Sequence, residues 1–170
     1  MTKKYLGKVV SFKFEYSHSI ESFTGYLLAY NKEWVLLKHN TVDFIVDGYI
    51  LLKNDHITHY KRDSKEKFIQ KILDLKGYKP NSKEIIPLTD IGTTLAHLTK
   101  KYSVFQFDMK TNKKCWLGNL KKITGSNIKI NYLMPNGRWS STMPPFKLGN
   151  IRTVQFDTDY INSLLLIAKK

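Results

Sequence analysis

Phe12-Lys13-Phe14-Glu15, answered 93 positions later by Phe105-Gln106-Phe107-Asp108, is the stretch on which the fold turns. Each alternates an aromatic ring with a polar side chain, the period-two pattern of a strand with one buried face. Outward at the same spacing, Phe23-Thr24-Gly25-Tyr26-Leu27 is matched by Trp116-Leu117-Gly118-Asn119-Leu120. One residue out of step, Trp34-Val35-Leu36 matches Ile128-Lys129-Ile130, and Ile57-Thr58-His59-Tyr60 matches Ile151-Arg152-Thr153-Val154. Asp63 then pairs with Asp157, and Phe68 and Ile72 pair with Ile161 and Leu165. Blocks in one order at nearly one offset imply a tandem duplication.

Each copy reads as short strands closed by a helix. In the first, Phe12, Phe14 and Tyr16 share a strand face, and Gly25 marks a bend or bulge in the next strand. Trp34 to Leu37 is a third strand. Phe44 to Leu52 is a fourth, with Asp47-Gly48 as a hairpin turn or a bulge, and Ile57 to Tyr60 is a short fifth. In the second copy Phe105, Phe107 and Met109 repeat the first strand, and Pro135-Asn136-Gly137-Arg138 is the strongest hairpin signal. Lys65 to Leu75 changes period: Phe68, Ile69, Ile72, Leu73 and Leu75 form one helical stripe, with Gly77 as its stop. Tyr160 to Ala168 repeats it, and Thr89 to Tyr102 reads as a leading helix with Ile91, Leu95 and Leu98 on one side. The fold expected is mainly β with short helices: two tandem five-stranded barrels over 1–77 and 89–170, joined by a linker at 78–88 that carries Pro80, Asn81, Ser82 and Pro87.

The chain has 170 residues, enough for one ordinary domain or two small ones. Hydrophobic residues at 42% and aromatics at 13% exclude a disordered tail. A single cysteine, Cys115, excludes an intrachain disulfide and a Cys-rich metal site. No apolar run approaches the ~20 residues of a membrane span, and the basic N-terminus lacks the apolar stretch of a signal peptide. These features suggest a soluble, cytoplasmic protein.

The skeleton of a phenylalanine strand, aromatic-x-Gly-x-Leu, an apolar strand, a long fourth strand and a short Ile-x-x-aromatic strand resembles the Sm-like and SH3-like small barrels. The likeness covers residues 8–62 and 89–157 and implies fold more than function. Asp47-Gly48-Tyr49 and Asp55-His56-Ile57 also resemble uncharacterised bacterial barrel proteins. Sm-like RNA binders follow the second-strand glycine with an Asp and an Asn that hold a base. Here Gly25 is followed by Tyr30-Asn31-Lys32-Glu33 and Gly118 by Ile123-Thr124-Gly125-Ser126-Asn127, with Asn31 or Asn127 as stand-ins and the acid missing. The Arg-Gly pair before the last strand becomes Asn54-Asp55 and Leu148-Gly149. The family's oligonucleotide pocket is therefore not carried over, and a fused tandem argues against ring assembly.

Nothing points to catalysis or a cofactor. His18, His39, His56, His59 and His97 are scattered, and the three-residue step from His56 to His59 on a strand sends them to opposite faces. Asp43, Asp47 and Asp55 could gather at one end of the first barrel, but the second copy has no matching acids. Cys115 has no basic activator, and no phosphate-loop, dinucleotide or nucleophile-elbow motif occurs. No metal site is expected. The remaining signal is charge: 28 Lys+Arg against 14 Asp+Glu, a net +14. Residues 1–80 hold 14 basic and 9 acidic residues, residues 81–170 hold 14 and 5. Lys110, Lys113, Lys114, Lys121, Lys122, Lys129 and Arg138 fall on expected hairpins and outward strand positions of the second copy, near Tyr132 and Trp139. That pattern suits contact with an RNA or DNA backbone. The plainer alternatives are a solvated lysine face over core aromatics, and a module that binds an acidic protein.

Overall fold

The computed structural model describes residues 3–16, 19–78, 80, 86–110 and 114–168. Among them it contains eleven strands and three α-helices, and the chain is mainly β. It divides into two compact units, Met1–Ile85 and Ile86–Lys170. Of the expected linker, residues 79 and 81–85 lie outside the described residues.

The first unit holds β1 (Val9–Tyr16), β2 (Ser19–Tyr30), β3 (Trp34–Val42), β4 (Ile45–Lys53), β5 (Ile57–Lys61) and α1 (Ser64–Leu75). Its strands are antiparallel neighbours in the order β4-β3-β2-β1-β5. The two ends of that order are not neighbours, so hydrogen bonds within the unit do not close a barrel. One sheet face packs Val10, Phe12, Phe14, Leu27, Val35, Leu37, Ile50 and Leu52 into a core. Phe14 and Phe23 meet edge to face at 5.5 Å. Of the two readings of Asp47-Gly48, the bulge is the one formed. Lys38 pairs with Tyr49 and Asn40 with Val46, so two residues of β4 face one of β3, and Gly48 takes φ 60°.

The other face of β1 and β2 receives α1 through Val9, Tyr26, Ile69 and Leu73. The expected stripe is turned: Phe68 and Leu75 are exposed, while Glu66 is fully buried. The reason is a row of polar side chains one turn apart that all bond to strands. Glu66 Oε1 accepts from the Ser11 hydroxyl at 2.7 Å, Gln70 Oε1 from the Val9 N–H at 3.1 Å, and Asp74 Oδ1 from the Tyr26 hydroxyl at 2.7 Å. Burial works to raise the Glu66 pKa, but the Asp63 N–H and the Ser11 hydroxyl outweigh it and hold the carboxyl below its usual range.

The second unit holds α2 (Ile91–Tyr102), β6 (Phe105–Met109), β7 (Cys115–Thr124), β8 (Asn127–Leu133), β9 (Trp139–Ser140), β10 (Phe146–Lys147), β11 (Ile151–Phe156) and α3 (Asp159–Ile167). The order is β10-β8-β7-β6-β11, with β9 also on β8. Asn136-Gly137 makes the expected turn, with Gly137 at φ 76°. Phe107, Trp116 and Phe146 pack on one face, with Trp116 against Tyr132 at 5.7 Å. Leu117 and Leu133, on the other face, meet Val104, Ile161 and Leu164.

The ladders correct the spacing read from the sequence. Gly25 pairs with Val10 and with His39; Gly118 pairs with Phe105 and with Tyr132. The first strands are thus displaced by two residues: Phe105 stands where Val10 does, and Phe107 where Phe12 does. A shift of two keeps every ring on its own face, so periodicity could not detect it. The third strands match at 93 rather than 94, with Lys129 at the register position of Leu36.

Candidate nucleic-acid interface

The β7–β8 hairpin carries three exposed lysines, Lys121, Lys122 and Lys129. Asn119 pairs with Asn131 and Leu120 with Ile130, but the next pair is Lys122 with Lys129. Lys121 is the extra residue of a bulge. The bulge leaves the Leu120 N–H without a ladder partner, and the Thr99 hydroxyl of α2 accepts it at 2.9 Å. Residues directly opposite in an antiparallel pair share a face with Cβ atoms about 4.5–5.5 Å apart. Lys122 and Lys129 are therefore adjacent, and both are exposed.

Lys147 joins them. Phe146 pairs with Ile128 and Lys147 with Asn127, so the phenylalanine falls on the core face and Lys147 on the outer one. Asn127 also pairs with Thr124. The outer face thus runs Asn119, Asn131, Lys122, Lys129, Thr124, Asn127 and Lys147, with no acid. No described residue forms an ion pair with Lys121, Lys122, Lys129 or Lys147. Like charges set directly opposite are unfavourable on a sheet. At the same register positions the first unit places Ala29 opposite Leu36, and Leu36 is buried.

The seven basic residues named from the sequence therefore fall into two groups. Lys121, Lys122 and Lys129 gather on this hairpin. Lys110 and Lys114 flank the β6–β7 connection, and exposed Arg138 sits in the β8–β9 turn, at the other end of the strands. Lys113 lies outside the described residues. Of the aromatics, Tyr132 packs in the core away from the lysines, whereas half-buried Trp139 pairs with Leu133 on the lysines' side of the sheet and packs against the core of Val104, Leu117, Leu133, Ile161 and Leu164. Lys147 and Asn119 were missed. Lys147 follows Pro144-Pro145, which reads as a loop. The available signal was that Phe146-Lys147 precedes Ile151 as Leu52-Lys53 precedes Ile57.

The other candidates disperse. Asp43 and Asp55 lie at opposite ends of β4, because the turn and the short 3₁₀ segment that hold them flank that strand. His56 is in that segment rather than on a strand, with Nδ1 3.0 Å from the Glu15 carbonyl oxygen. His18 lies outside the described residues. Asn31 does not present its carboxamide to a ligand: Oδ1 accepts the N–H groups of Glu33 and Trp34 at 2.8 and 2.7 Å, shaping its own loop. Burial and then the Asp108 charge push the Cys115 thiol up, away from thiolate. Among the described residues no three metal-ligating side chains group together, and no helix is long and apolar enough to cross a membrane.

His39 lies against the Phe23 ring at 5.9 Å. Burial lowers its pKa from 6.5 to about 4, opposed by the Asp47 charge. A histidine depressed in the folded state binds its proton more readily unfolded, so its stabilisation is complete above pH 6.5 and drains away as pH falls toward 4. The expected loss is up to roughly 3 kcal/mol at 1.36 kcal/mol per unit. Urea midpoints of wild type and His39→Phe at pH 7 and pH 4 check this. An equal fall in both proteins refutes it.

No protein-family model, curated protein or solved structure matches the chain.

Proposed function

We propose that the chain is a non-enzymatic binding protein built from two duplicated Sm-like units, and that the β7–β8–β10 face of the second binds a nucleic-acid backbone. The observation that carries the binding site is the unpaired row Lys122, Lys129 and Lys147, of which Lys122 and Lys129 stand where the first unit has Ala29 and Leu36. Three cations without acids on one exposed face favour a polyanion. Thr124 and Asn127 beside them add hydrogen-bonding groups suited to phosphate and sugar oxygens. Support for duplication comes from Gly25 and Gly118, each on a second strand and each in close backbone contact with the third. The same strand also carries a bulge just beyond the glycine in both units.

The test is binding of single-stranded oligonucleotide across a salt series. Each phosphate contact contributes about −0.7 to the slope of log K against log salt. The triple variant Lys122→Ser, Lys129→Ser, Lys147→Ser is expected to flatten the slope by about 2. The variant Lys110→Ser, Lys114→Ser, Arg138→Ser, at the other end, is expected to change it less. An unmoved slope in the triple variant removes the site. Absence of binding by wild type at low salt removes the nucleic-acid reading in favour of an acidic protein partner.

A further inference from the structure

Beside the lysines lies a cavity of about 330 Å³ lined by Asn119, Asn131, Trp139, Ser140 and Ser141. Its size is at the lower end for small-molecule sites. Asn119 and Asn131 are a cross-strand pair, and Asn131 Nδ2 donates to Asn119 Oδ1 at 2.8 Å. A carboxamide has two donors and one acceptor atom. The mutual bond therefore leaves Asn119 Nδ2 as a donor and Asn131 Oδ1 as an acceptor, and no described residue engages either. Both belong to half-buried side chains in the cavity wall. Trp139, in the same wall, has a buried indole N–H without a hydrogen-bond partner among the described residues.

We infer that this cavity accepts one unstacked nucleobase, with the Asn119–Asn131 pair bonded to the base edge and Trp139 as its aromatic wall. The inference rests on the backbone reading of the neighbouring lysines and narrows its ligand to single-stranded nucleic acid. A donor beside an acceptor complements the acceptor and donor that sit side by side on a base edge, the arrangement through which asparagine reads adenine. The distance to the charges also fits. Asn131 and Lys129 are two residues apart on one face of β8, about 7 Å at strand rise, so a base in the cavity keeps its own phosphates over Lys122 and Lys129. In a duplex the base edges are paired and the rings stacked, so the cavity selects against it.

The experiment compares oligo(dT) of about twelve nucleotides, within the site sizes of small single-strand binders, with an abasic sugar-phosphate oligomer of equal length. Wild type is expected to bind oligo(dT) about tenfold tighter than the abasic chain, since one seated base is worth that much. Both ligands should show the same salt slope. Asn131→Ala is expected to bring oligo(dT) to the abasic level while leaving abasic affinity and slope unmoved. Equal binding of both ligands by wild type overturns the base pocket and leaves the lysine face standing; this comparison needs no variant to fold. Binding of neither ligand at low salt overturns the lysine reading and the pocket with it.

Discussion

Gly25→Ala and Gly118→Ala are each expected to cost about 3 kcal/mol or more, at the upper end of what overpacking produces. A Cβ at residue 25 falls 2.2 Å from the Lys38 carbonyl oxygen, and one at residue 118 falls 2.1 Å from that of Asn131. Neither glycine has the positive φ that would make conformational freedom the cause. The obstacle is backbone approach, and a carbonyl fixed in a ladder cannot swing aside as a side chain can. Denaturant unfolding is the measurement. A loss below about 1 kcal/mol at either position would show that the strands can part there without penalty. Gly118→Ala also presses on Asn131, so its oligonucleotide binding should fall with its stability.

The second large effect is expected at Phe14 and Phe107, both fully buried. Truncation to alanine should cost about 3–5 kcal/mol in each, the transfer term plus the cavity left behind. Phe14 loses edge-to-face packing against Phe23, and Phe107 loses it against Phe146. Separate transitions for the two units in a melting curve would let each variant be assigned to its own unit. If Phe107→Ala melts like wild type, that ring is not part of the core.

How much of this was legible in the sequence follows from which signals are local. Alternation at Phe12-Lys13-Phe14 and Phe105-Gln106-Phe107 placed strands and their buried faces, because a side chain's face depends only on its own strand. Register depends on the partner, and a slip of two leaves alternation untouched, so the first-strand displacement was invisible. The α1 stripe misled for a different reason. Glu66, Gln70 and Asp74 look like a solvent row until Ser11, Val9 and Tyr26 are known to face them. The lysines were legible as a basic half. Their division into two ends needed the ladders of β6, β7 and β8, and the place of Lys147 on the outer face needed the pairing of β8 with β10.

The Lys121 bulge makes β7 a strand with two reading frames. Upstream, odd-numbered residues face outward; downstream, even-numbered ones do, beginning with Lys122. Loss of that single codon would restore strict alternation with Lys122 and Thr124 still on the outer face, leaving a strand one cation shorter. A deletion at Leu28, the matching bulge of the first unit, would remove only an apolar residue beside Tyr26 and Val9. The same lesion in the gene thus falls on charge in one half of the chain and on packing in the other.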